Sequence, residues 1–252
     1  MNAIYNVDWQ QEPLSDREKF RRYDRILSSG LVLNQIYDNR DNLFSTSQGT
    51  YFEFRQSFYH DKLGSDFNFR VMELDYRKFF KPFARRADVV ALNAYAYCSS
   101  DNTPFTEMAL LGSSSIMRGY YQGRYRDYHL LAFQAEYRAH LVGRLGLVGF
   151  AGLGNVDNHL GVFNWGTLKH SVGGGLRFTV MKEENLKLRF DYAFGQNSSN
   201  FYFGVAELLR KNQTTLNSAN SIAISSSLAL KGSKIKLTGW VCMARLRVYS
   251  SF

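Results

Sequence analysis

Residues able to carry bond chemistry are few and scattered along this sequence. Histidines stand at positions 60, 129, 140, 159 and 170, and no two have the HExxH or other short spacing that sets a pair of imidazoles on one metal. Cys98 and Cys242 are isolated, with no CxxC pair. Ser113, Ser114 and Ser115 are consecutive, but the strand, elbow and helix that expose a serine nucleophile are lacking around them, so they read as loop serines. Asp38, Asp41 and Asp157 could hold a cation in a surface turn; plain turn carboxylates are the simpler alternative. The segment at 109–127, ALLGSSSIMRGYYQGRYRD, is rich in glycine but contains neither GxxxxGK[ST] nor GxGxxG. What it does offer is charge, with Arg118, Arg124 and Arg126 set among Tyr120, Tyr121 and Tyr125. A loop of this kind can lie on the surface, stack its tyrosines on bases, or fold inward and pair its guanidinium groups with carboxylates such as Glu136 and Asp191. None of these groups calls for a cofactor or a metal.

The elements that must position such a loop are strands. In LAFQAEYRAHL, residues 131–141, Leu131, Phe133, Ala135, Tyr137, Ala139 and Leu141 share one face, and Ala132, Gln134, Glu136, Arg138 and His140 share the other. This is a period of two over a length that suits a tilted membrane strand better than the five or six residues usual in a soluble sandwich. The alternation returns in LKLRFDYAF at 186–194 and in VGGGLRFTV at 172–180. With 30–38, 50–59, 67–80, 88–98, 144–154 and 200–209, these make nine strand candidates. HDKLGSD and MKEEN look like tight connections, whereas 99–127 and 156–167 are long ones. Gly146, Gly149, Gly152, Gly154 and Gly173 to Gly175 weaken strand propensity and suit a wall that bends or against which another element lies.

Composition agrees with this architecture. The chain has 252 residues with 16 Tyr, 20 Phe and 3 Trp but only 3 Pro and 2 Cys, which excludes disordered, collagenous and disulfide-stapled classes. No run of 18 apolar residues occurs, so a helical span is excluded while a membrane β-barrel is not. The net charge is +9, and basic clusters interleaved with aromatics keep nucleic-acid binding as a rival. The first residues, MNAIYNVDWQQEPLSD, lack the basic and apolar regions of a secretory signal.

At the arginine loop a specific likeness appears. LLGSSSIMRGYYQGRYRD resembles the sixth-loop motif of the bacterial surface antigen family, the outer-membrane barrels that assemble other barrels or translocate polypeptides; its core is Arg118, Gly119 and Tyr120. IYDNRDNLFSTSQGTYFEF resembles that family's strand, turn and strand signature through Asp38, Arg40, Asp41 and Gly49, and YRKFFKPF resembles its Tyr-x-Pro segment through Phe80 and Pro82. Glu136 matches a glutamate of the next strand. FYFGVAELL resembles the closing strand with its terminal signal, here Phe201, Phe203, Gly204 and Leu209. The aspartate usual in the strand after Glu136 is replaced by Gly152, which would leave Arg118 anchored by Glu136 alone.

The resemblance implies an all-β fold: an antiparallel meander forming the carboxyl-terminal portion, about nine strands, of a sixteen-stranded transmembrane barrel at residues 30–209. Residues 1–29 would be a lead-in, and 210–252 an atypical, poorly ordered tail with at most an extra strand or two around 235–249. Nine strands fall short of sixteen, so the chain is expected to be a fragment whose sheet leaves its first strand unpaired. The implied setting is the bacterial outer membrane. The implied partners are its lipid, unfolded or nascent outer-membrane polypeptides, and periplasmic accessory proteins reached through further domains; nucleic acid is not among them. The implied work is strand pairing in barrel assembly or polypeptide translocation rather than enzymatic catalysis. A structural or porin-like barrel, or the membrane anchor of an enzyme domain, is the alternative.

Overall fold

The structure is a computed structural model describing residues 27–43, 45–83, 86–158, 165–181, 186–205, 222–230 and 233–245, the last two segments by their backbone alone. Strands β1 (Leu27–Asp38), β2 (Gly49–Tyr59), β3 (Phe69–Phe80) and β4 (Val89–Ser99) precede a short hairpin of β5 (Ala109–Leu111) and β6 (Tyr125–Asp127). Then follow β7 (His129–His140), β8 (Leu145–Asp157), β9 (Lys169–Met181), β10 (Leu186–Gly195), β11 (Ser198–Val205), β12 (Ile222–Leu230) and β13 (Ser233–Arg245). The large sheet runs β11-β10-β9-β8-β7-β4-β3-β2-β1-β13-β12, and its ends do not pair with each other. All nine strand candidates are present as an antiparallel meander, with β4 and β7 adjacent although the loop-bearing β5–β6 hairpin separates them in sequence.

Period two places the two side-chain classes on opposite faces, and the apolar face is the exposed one. In β7, Phe133 is 48% exposed while Glu136 is 2% exposed. In β9 and β10, Leu176, Phe178, Phe190, Tyr192 and Phe194 are exposed, whereas Arg177, Arg189 and Asp191 are buried. A soluble sheet would place its charges in water and its phenylalanines in the core. The reverse pattern fits a wall whose outer solvent is hydrocarbon and whose inner face carries a polar lining. The largest buried apolar cluster among the described residues is correspondingly small: it joins Tyr95, Leu130 and Ala132 of the wall to Ala109, Leu111, Met117 and Tyr120 of the β4–β7 connection.

One expectation is corrected. β1 is not unpaired: Leu27–Asp38 pairs antiparallel with β13, from Leu27 opposite Arg245 to Asp38 opposite Lys234. An exposed β1 edge would leave a row of backbone donors and acceptors open, and residues 233–245 satisfy it. Their sequence alternates Ile235, Leu237, Gly239, Val241 and Met243 with Lys234, Lys236 and Thr238, a strand pattern obscured by the serine-rich run before it. The connections after β1, β3, β7 and β9 fall at one end of the sheet; those after β2, β4, β8 and β10 fall at the other. Both long connections, after β4 and after β8, therefore share one end.

Candidate functional site in the arginine loop

Strand register builds a seat for the loop. One row across the sheet runs Gln134, Gly152, Ser171; the next runs Glu136, Phe150, Gly173, Ala193; a third runs Arg138, Val148, Gly175, Asp191. All face the polar side, and most of those on β8 and β9 are small. This explains the glycine-rich stretches noted in the sequence. A Cβ on Gly152 would stand 2.9 Å from the Met117 sulfur, and one on Gly175 would collide with the Asp191 carboxylate. The loop lies where side chains would otherwise project.

Arg118 occupies this seat and is 2% exposed. Its Nη1 donates to Asp191 Oδ2 at 2.9 Å, its Nη2 donates to Glu136 Oε2, and its guanidinium carbon lies 3.5 Å from the Phe150 ring centroid. Guanidinium stacking on an aromatic face with two carboxylates at its edge uses all of that group's recognition modes. Each carboxylate serves further arginines. Arg138 Nε donates to Glu136 Oε1 at 2.6 Å, while Arg177 bonds Asp191 and Arg189 lies 3.3 Å from Asp191 Oδ2. Four guanidinium groups thus share two buried carboxylates, and removing either carboxylate would leave like charges facing one another in a dry site.

Asp191 corrects the expectation that Arg118 rests on Glu136 alone. The aspartate missing at Gly152 has its counterpart two strands further on, in β10, and the space at Gly152 is taken by Met117. The backbone of the motif is bent to reach this position. Met117 has φ 55° and Gly119 φ 109°, and a Cβ on Gly119 would approach the Phe194 carbonyl carbon to 2.7 Å, so residue 119 must be glycine on both counts. Tyr120 is fully buried; its hydroxyl donates to the His170 carbonyl at 2.5 Å and accepts from Gln196 N–H at 2.8 Å.

The strand-turn signature reaches the same site indirectly. Arg40 forks onto Asp38 with Nε at 2.8 Å and Nη2 at 2.6 Å, and stacks on Tyr51. Asp41 accepts from the backbone N–H groups of Asn42 and Ser47, each at 2.9 Å, so both carboxylates are engaged by their own turn. Gly49, at φ 120°, passes against the Asn39 carbonyl. Within this turn the Thr46 carbonyl accepts from Arg138 Nη1 at 3.2 Å, which links the turn through Arg138 and Glu136 to Arg118. Phe80 ends β3 and Pro82 follows in the connection to β4.

The closing-strand residues divide between faces. Phe201 and Phe203 are exposed and pack beside Phe190, Gly204 lies against Arg189 on the polar side, and Leu209 lies outside the described residues. Sequence reasoning missed Gln134, whose Oε1 accepts from Met117 N–H at 3.0 Å and whose Nε2 donates to the Ser115 carbonyl at 2.9 Å. It also missed Phe150 and the polar residues of β11. Their parity on the polar face was the available signal.

Comparison with known proteins agrees with this geometry. The Omp85 superfamily domain matches residues 2–207. A solved structure, the crystal structure of BamA from Haemophilus ducreyi lacking POTRA domains 1-3, is similar in fold with a TM-score of 0.53 at 13% identity, over 83% of this chain and 41% of that one. The chain thus spans less than half the length of that structure. Among curated proteins no sequence matches. With an arginine loop seated on a polar sheet face and a family match over most of its length, the chain belongs to the Omp85 superfamily.

Proposed function

We propose that this chain is an outer-membrane barrel protein that acts in the assembly or insertion of outer-membrane proteins or in polypeptide translocation. Residues 30–209 would supply the carboxyl-terminal portion of a sixteen-stranded wall. The observation that carries this reading is the Arg118 loop, buried against the polar face of a sheet whose other face presents phenylalanine, leucine and tyrosine. Hydrocarbon tolerates backbone only when its donors and acceptors are paired, so an edge that opens within it is a strong template for an incoming strand. The work is then main-chain pairing. In this reading Arg118, Gly119 and Tyr120 hold the loop in the lumen, Glu136 and Asp191 anchor it, and neither cofactor nor metal takes part. Its partners are outer-membrane lipid, unfolded outer-membrane polypeptides, and periplasmic accessory proteins bound through other segments.

Site-specific photocross-linking tests the proposal. A probe at Ser199 or Phe203 of β11, in membranes containing the full chain, is expected to capture strands of a nascent outer-membrane polypeptide. A probe at Met72 in the middle of the wall is not. Equal capture from both positions would overturn it.

A further inference from the structure

The Gly119 peptide is gripped from a direction that the Arg118 ion pairs do not use. Its N–H donates to the Tyr202 hydroxyl at 3.0 Å, and its carbonyl accepts from Ser198 Oγ at 2.6 Å and Asn200 Nδ2 at 2.9 Å. The Tyr202 hydroxyl in turn donates to the Tyr120 carbonyl at 3.3 Å. Ser198, Asn200 and Tyr202 are alternate residues of β11 and therefore share its inner face, while the intervening Phe201 and the following Phe203 point outward. The same strand end is held again where Tyr120 accepts from Gln196 N–H and packs its ring on Gly195, and where Arg124 Nη1 donates to the Asn197 carbonyl at 3.1 Å.

We infer that Ser198, Asn200 and Tyr202 form a receptor for the Gly119 peptide, so that loop docking and the order of β11 are one coupled equilibrium. The physical case rests on where the bonds lie. β11 pairs with β10 on one side, and no strand pairs with its other edge among the described residues. Its eight residues thus have one ladder, and the polar clasp supplies a second support, on the inner face. Arg118 fixes the loop to β7 and β10; the Gly119 peptide extends that fixation to the last strand of the meander. Anything that lifts the loop from its seat also removes four polar contacts from β11, and anything that pulls β11 away opens the Gly119 peptide. Coupling of this kind is reciprocal. Ser198, Asn200 and Tyr202 are positioning residues: they act through the loop and the strand edge. The inference rests on the proposed strand-pairing role only for its meaning; the coupling itself is measurable without a client polypeptide.

The test is hydrogen exchange of the full chain in phospholipid vesicles, read on peptides spanning 113–122 and 198–205. Tyr202→Phe keeps the ring and removes one hydroxyl with its two hydrogen bonds to the loop, and is expected to speed exchange in 113–122 by at least about fivefold, the factor for one neutral hydrogen bond. Ser198→Ala with Asn200→Ala is expected to do the same, although neither residue is in the loop. In the reverse direction, Arg118→Ala is expected to speed exchange in 198–205. Exchange in β2 and β3 should stay unchanged in every variant, which separates coupling from global loosening. Tyr137→Phe, which removes an outward hydroxyl of β7 bonded to Asp88 at 2.8 Å and touching neither the loop nor β11, is the control and should leave both segments unaffected. Changes confined to the mutated segment would overturn the inference. If the reciprocal changes appear while β11 captures no client strand, the clasp stands and the proposed function falls.

Discussion

Arg118 of the loop and Asp191 of β10 lie 73 positions apart in sequence and meet at 2.9 Å in a site from which solvent is excluded. Asp191 is also the shared partner of Arg177 and Arg189. Asp191→Asn therefore leaves three guanidinium groups without their common countercharge, and the docked state should lose about 3–5 kcal/mol. Limited trypsin digestion at Arg124, with urea unfolding in vesicles, reads this out; Arg118→Lys should fall between, since an ammonium cannot fork across two carboxylates. An Asp191→Asn chain as trypsin-resistant as the wild type would show that Glu136 alone holds the loop.

Restoring an aspartate to position 152 should not rescue that variant. The Gly152 position is closed by the Met117 sulfur and the Ser171 hydroxyl, so Gly152→Asp combined with Asp191→Asn is expected to dock more weakly than Asp191→Asn alone. Recovery of trypsin resistance in the double variant would mean that the loop can shift to a second seat.

Gly119→Ala tests the bend of the motif. A side chain at φ 109° is strained, and its Cβ would press on the Phe194 and Gly195 backbone; strain of this type costs about 1–3 kcal/mol before the contact is counted. Loop cleavage should rise at least tenfold while the chain remains in the membrane fraction.

How much of this was legible in the sequence differs between the wall and the site. The alternation of Leu131 to Leu141 and of Leu186 to Phe194 disclosed the strands, because period two is a local property of consecutive residues. Glu136 and Arg118 were visible as motif residues. The pairing of Arg118 with Asp191 was visible only as a possibility, because it depends on register across β7, β8, β9 and β10, and register is fixed by pairings between distant segments. The same holds for β13: its pairing with β1 joins segments separated by nearly two hundred residues of intervening chain, and no local signal encodes that.

The polarity of the two faces yields a sharper test. Leu176 is 53% exposed on the apolar face of β9, three residues from Thr179 on the polar face. If that apolar face meets lipid, Leu176→Arg should destabilise the chain in vesicles by about 2–4 kcal/mol near the bilayer midplane, whereas Thr179→Lys should have a much smaller effect. Urea titrations of the two variants decide it; a soluble sheet would tolerate Leu176→Arg with no penalty.

The base of the loop should respond to pH. Burial, and then the nearby Glu73 carboxylate, raise the Glu107 pKa above its ordinary value, while the Glu107 carbonyl accepts from Tyr97 and Arg126 Nη1 donates to the neighbouring Phe105 carbonyl at 2.6 Å. An acid whose pKa is raised in the ordered state binds its proton more tightly there than in the released state. The ordered base is therefore favoured at low pH, and that contribution is lost as pH rises from the ordinary glutamate value through the raised one. Trypsin cleavage at Arg126 should accordingly increase across this interval and level off above it. Glu107→Gln, which is neutral at every pH, should abolish the slope and hold cleavage at the low-pH level. A Glu107→Gln chain that keeps the wild-type slope would assign it to another group.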